Sequence, residues 1–139
     1  MQQVFLILAD GSEAVGGKIH ILGGGVDHHQ APSFPTNLNV AIACSFLVAW
    51  QETDRPVDVQ LRITDESGTE IIAIGIEAVV GRPAHARMGQ DVRSQLAVRG
   101  PFPIPRAGGY LLAMRLDGVD QQPPFRFWVD QAAPPGPSN

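Results

Sequence analysis

Large apolar residues fall on every second position from Leu38 to Trp50, through Val40, Ile42, Cys44, Phe46 and Val48. The positions between them, Asn39, Ala41, Ala43, Ser45, Leu47 and Ala49, are mostly small or polar. Successive side chains of a strand point to opposite faces, so this pattern predicts one long strand with a single strongly apolar face. Val57, Val59, Leu61 and Ile63 repeat the pattern, with Asp58, Gln60, Arg62 and Thr64 on the other side. Thr64 to Thr69 supplies turn chemistry around Gly68, and Ile72, Ile74 and Ile76 lead the returning strand. Further inward rows are Val92, Ser94, Leu96 and Val98; Tyr110, Leu112, Met114 and Leu116; and Phe125, Phe127 and Val129. At the front, the apolar run Val4–Leu8 suits a central strand, with Lys18–Leu22 as its hairpin partner.

No stretch shows the 3.6-residue period of an amphipathic helix. The pattern therefore predicts an all-β chain: an antiparallel β-sandwich of about eight strands, packed as two sheets. Its 139 residues are enough for one domain with a full core, and Gly 15 with Pro 12 fits many turns. The domain is expected over residues 1–131. Residues 132–139, rich in proline and without large apolar side chains, are expected to form a disordered tail.

The net charge of −4 disfavours nonspecific binding to nucleic acid. The lone Cys44 lies in an apolar strand pattern and reads as a buried thiol. The first residues lack a basic segment, and no apolar run has the length of a membrane span. The expected location is cytoplasmic, with no membrane contact.

Few motifs carry chemistry. Asp27-His28-His29 has metal-ligand side chains that His85 or His20 could complete, but neighbouring histidines in an extended chain point apart. A polar loop in solvent is the simpler reading. Gly11 to Lys18 lacks the spacing of a phosphate-binding loop, and Ile19 replaces its hydroxyl residue. Gly23-Gly24-Gly25 reads as a strand exit. No serine sits in a Gly-x-Ser-x-Gly elbow, and Asp65 to Glu70 is too short for an EF-hand loop. No enzyme and no cofactor are expected.

Pro105 to Leu112, followed by Asp117-Gly118, resembles the late hairpin of bacterial immunoglobulin-like sandwich domains, in which a strand opens on tyrosine. There Tyr110 would bury its ring and keep a wet hydroxyl. The whole layout resembles a poorly characterised bacterial family of short immunoglobulin-like β-sandwich proteins, a domain of unknown function. Leu6 to Asp10, Gly17 to Gly25, Trp50 through Thr53 to Pro56, and Pro124 to Phe127 carry that likeness. It implies a fold and brings no catalytic residues.

Between residues 82 and 106 stand Arg82, Arg87, Arg93, Arg99 and Arg106 against Asp91 alone, a net +4 that leaves −8 for the rest. Outward-facing Trp128, with Leu47 and Leu111 off the main apolar parity, suggests a second buried contact. The functional expectation is a non-catalytic interaction, assembly or accessory module. It would associate with a protein partner or with itself through these arginines and Trp128, with nucleic acid disfavoured. The alternative is a module binding a small ligand, a carbohydrate or a metal-dependent ligand with the loops 27–29 and 81–90.

Overall fold

The computed structural model describes residues 1–133. It is all-β, with a single short 3-10 turn at Trp50–Glu52. Twelve strands are present among the described residues: β1 (Gln2–Val15), β2 (Lys18–Gly24), β3 (His28–Ala31), β4 (Thr36–Leu38), β5 (Ala41–Val48), β6 (Pro56–Asp65), β7 (Glu70–Val79), β8 (Val92–Arg99), β9 (Phe102–Ile104), β10 (Gly108–Leu116), β11 (Val119–Asp120) and β12 (Phe125–Gln131). One sheet runs β2-β1-β5-β8 and the other β3-β12-β10-β6-β7, with β11 pairing β10. β4 and β9 form a separate two-stranded ribbon. This is a sandwich-like arrangement, with more strands than the eight expected.

The expected apolar rows meet between the sheets. Val40, Ile42, Cys44, Phe46 and Val48 are buried, as are Val57, Val59, Leu61 and Ile63. Tyr110, Leu112, Met114, Leu116, Phe127 and Val129 complete the same core. Ile72, Ile74 and Ile76 are only half-buried, because β7 is the sheet's last strand and is hydrogen-bonded to a neighbour on one side only.

Four expectations are corrected. The long strand predicted from Leu38 to Trp50 is interrupted: Leu38 belongs to the ribbon, β5 starts at Ala41, and Trp50 begins the 3-10 turn. The front strand runs on to Val15, past its predicted end at Leu8. Its first half pairs with β5, and Ala9 to Val15 pairs with β2. Pairing is not antiparallel throughout, since β3 runs parallel to β12. Finally, Ala132 is not free, because its amide donates to the Ala31 carbonyl at 2.8 Å. The rest of the expected tail, 134–139, lies outside the described residues.

The β1–β2 hairpin turns through Gly16-Gly17, whose φ values of 58° and 76° are the left-handed pair a two-residue turn needs. Gln95 Nε2 donates to the Gly17 carbonyl at 3.0 Å, and both β1 and β2 touch β8, with which neither pairs. The hairpin therefore folds back over the outer face of its own sheet. This explains why Ala41, Ala43 and Ser45, on the outer parity of β5, are as buried as the core row. Small side chains there leave room for the covering hairpin.

Candidate functional site

The arginines of residues 82–106 do not form one surface. Arg82 lies over the Trp50 ring with its guanidinium carbon 3.9 Å from the centroid. Its Nε donates to Thr53 Oγ1 at 2.6 Å and its Nη2 to the Trp50 carbonyl at 2.8 Å. It fastens the approach to β6. Arg106 pairs with Asp65 at the opposite end of β6, about 30 Å away along the strand. Arg93 Nη1 donates to Ser45 Oγ at 3.2 Å, which ties β8 to β5. Arg87 and Arg99 stand exposed, Arg99 at the far end of β8 from Arg93.

Asp65 is itself a hub. It accepts from the Ser67 hydroxyl at 2.7 Å and from the Ser67 and Thr69 amides at 3.0 and 2.9 Å. The Ser67 hydroxyl, followed by these amides and the Arg106 charge, holds its carboxyl below the usual range. Next to it, Glu66 accepts from the Gly109 amide at 2.8 Å, and Tyr110 donates its hydroxyl to the Arg106 carbonyl at 2.5 Å. The tyrosine hydroxyl is therefore bonded to the chain, where a wet one was expected. Burial pushes its ionisation upward. These contacts brace the β6–β7 turn against the start of β10.

The histidines occupy a strand, where a loop was expected. In β3 they point to opposite sides, as extended neighbours must. His28 stacks on Trp128 with centroids 5.0 Å apart at 18°, and its Nδ1 meets Asp27 Oδ1 at 2.9 Å. Trp128 is thus covered from within the molecule. His29 turns inward, edge-on to Phe127, with Nε2 buried and unbonded. Loss of water pushes its protonation below the ordinary value of 6.5. No three His, Cys, Asp or Glu side chains gather as a metal site among the described residues.

A groove of about 910 Å³ lies between the Gly16-Gly17 turn, Leu47, β8 and the segment 81–91. It takes in one of the two loops expected to bind a ligand. His28 and His29 lie on the other sheet, with Asp27 just before them, and none of the three lines it.

The surface that stands out is the β1–β2 hairpin. Of eight exposed large aliphatic or methionine side chains, four lie on it or at its exit: Val15 at 53%, Ile21 at 39%, Leu22 at 75% and Val26 at 36%. Leu22 faces Gly11 across the hairpin and so has no cross-strand side chain to shelter it. Val15 and Leu22 share one face of the hairpin and Ile21 lies on the other; scattered apolar residues are ordinary on a protein surface, whereas neighbouring ones on one face mark a contact. The sequence carries a trace of this: Ile21-Leu22 puts two large apolar residues in succession, so that one must face away from the sheet whichever way the strand is laid.

No helix of the described residues is long and apolar enough to cross a membrane. None of the curated proteins matches this sequence. A family model matches residues 4–125, from the third residue of the long first strand to the opening residue of β12. With that span covering most of the 139 residues, the chain belongs to the family of unknown function DUF6941.

Proposed function

We propose that this protein is a non-catalytic interaction module that works by surface association, with the β1–β2 hairpin as its contact face. The observation that carries this reading is the exposure of Val15 and Leu22 on one face of the β1–β2 hairpin, at 53% and 75%. A protein partner would gain apolar contact from Leu22 and Val15 on that face. Within the arginine segment, Arg82, Arg93 and Arg106 bond to the rest of the chain, while Arg87 and Arg99 stand exposed.

We also read the sandwich as immunoglobulin-like. What supports this is Tyr110, near the start of β10, which bonds back to the backbone four residues upstream in the manner of a tyrosine corner.

The contact face is tested with Leu22→Asp, a change on a side chain that touches little of the core. Proteins crosslinked to the wild type in cells would be quantified by mass spectrometry against those crosslinked to the variant. A partner retained by the wild type and lost by a folded Leu22→Asp supports the reading. The same partners at the same yield from both proteins reject it.

A further inference from the structure

We infer that β7 is a self-association edge, and that two copies of the chain pair antiparallel along it about a two-fold axis at Ile74. This surface is distinct from the hairpin face, on the other sheet.

The two sheets leave four edge strands, and three are blunted. β3 is four residues long. β2 begins with Lys18, ends in two glycines and bends over its own sheet. β8 carries Arg93 and Arg99 near its ends. These are the devices by which sheets avoid pairing with one another. β7 is less protected: its charges are confined to Glu70 and Glu77, although the short ribbon strand β9 lies close to it. Its ten residues, Glu-Ile-Ile-Ala-Ile-Gly-Ile-Glu-Ala-Val, contain no lysine, arginine or proline. The only irregularity in its pairing with β6 is at the Glu70 end, between Ile63 and Thr64 of the partner strand. Glu70 is 3.8 Å from Arg62 on β6, so its charge is drawn toward the sheet and away from the open edge.

The occupant is chosen by the strand's own symmetry. Ile72, Ala73, Ile74, Gly75 and Ile76 read alike in both directions, large apolar residues alternating with small ones. An antiparallel pair centred on Ile74 sets Ile72 against Ile76 of the second copy, Ile74 against itself, and Ala73 against Gly75. Same-face positions meet, as a pleated pair requires. The three isoleucines are half-buried in the single chain, so their remaining apolar surface is what a second copy would cover. In this register Glu70 lies opposite Ala78 and Glu77 opposite Ile71, so no glutamate faces a glutamate. Pairing would join two five-strand paths into one continuous sheet.

The experiment is sedimentation and light scattering of the full chain across a concentration series at about 0.15 M salt, where long-range repulsion between like-charged copies is screened. The wild type is expected to move from 14.9 kDa to twice that mass as concentration rises. Ile74→Lys and Ile74→Glu each place like charges face to face and should weaken the dimer by about 100-fold or more. Mixed one to one, the two variants should recover it, because lysine then meets glutamate. Gly75→Arg guards against a folding defect, since a Cβ at Gly75 meets nothing within 4 Å. It should stay folded and lose the dimer through repulsion beside the axis. A wild type that stays monomeric at every concentration overturns the inference. So does a dimer that withstands Gly75→Arg and both Ile74 variants, or folded Ile74 variants that fail to recover on mixing. A dimer lost in Leu22→Asp but kept in Gly75→Arg would move the contact to the hairpin and likewise overturn it.

Discussion

Replacing Tyr110 by phenylalanine isolates one hydrogen bond in the brace at the start of β10. The ring is 1% exposed and stacks on Phe127 with centroids 5.6 Å apart at 22°. Phenylalanine keeps that packing and removes only the hydroxyl that donates to the Arg106 carbonyl. The bereaved carbonyl belongs to an exposed residue beside a cavity of about 220 Å³, so water can reach it. The net worth of a hydrogen bond, about 0.5–1.5 kcal/mol, therefore applies, and not the larger penalty of a stranded acceptor. A chain of 139 residues unfolds with an entropy of about 0.29 kcal/mol/K, so the Tm should fall by about 2–5 °C. Tyr110→Ala also empties the ring's site and should cost about 3–5 kcal/mol, several times as much. Differential scanning calorimetry of the three proteins under one buffer gives the comparison directly. If Tyr110→Phe melts within about 1 °C of the wild type, or falls as far as Tyr110→Ala, the assignment of this bond as a modest brace is wrong.

Two further predictions concern titrating groups. His29 is neutral in the fold with its protonation pushed down by burial, so its contribution is complete above pH 6.5 and is lost as the pH falls through the lower folded value. Urea titrations on either side of pH 6.5 should show that loss in the wild type and its absence in His29→Leu, while the separate loss below 3.8, from Asp65 and Asp117, persists in both. The Cys44 thiol, pushed up to about 12 by burial, should resist a thiol reagent in the native protein and react at the rate of unfolding; fast labelling without denaturant would contradict its place in the core.

The core was legible because burial on a strand leaves a period-two trace. Every residue of the rows Val40 to Val48, Val57 to Ile63 and Tyr110 to Leu116 lies where that alternation put it. What was not legible depends on who pairs with whom. Nothing local tells that the chain breaks between strands at Asn39 and Val40, because the alternation continues through them while the chain leaves the ribbon for the sheet. Gly11 to Val15 shows no apolar alternation of its own and becomes a strand only by pairing with β2. His28 and His29 look like loop residues until β12 arrives alongside them. The arginines could be counted in the sequence, but their partners Trp50, Ser45 and Asp65 are distant in the chain, so the charge run looked freer than it is. Leu22's exposure follows from the fold-back of the hairpin, itself a long-range contact through Gln95.

The parallel seam between β3 and β12 sets an order of events during synthesis. His28 lies opposite Trp128, one hundred residues later. At ribosomal rates of about 5–20 residues per second, the early segment waits about 5–20 s for its neighbour to be made. Until then β10 has a bare side and the site of Phe127 and Val129 in the core is unfilled. A nascent chain stalled before Phe125 would present that unfinished surface to chaperones, and release of the last strand would be the step that completes the native state.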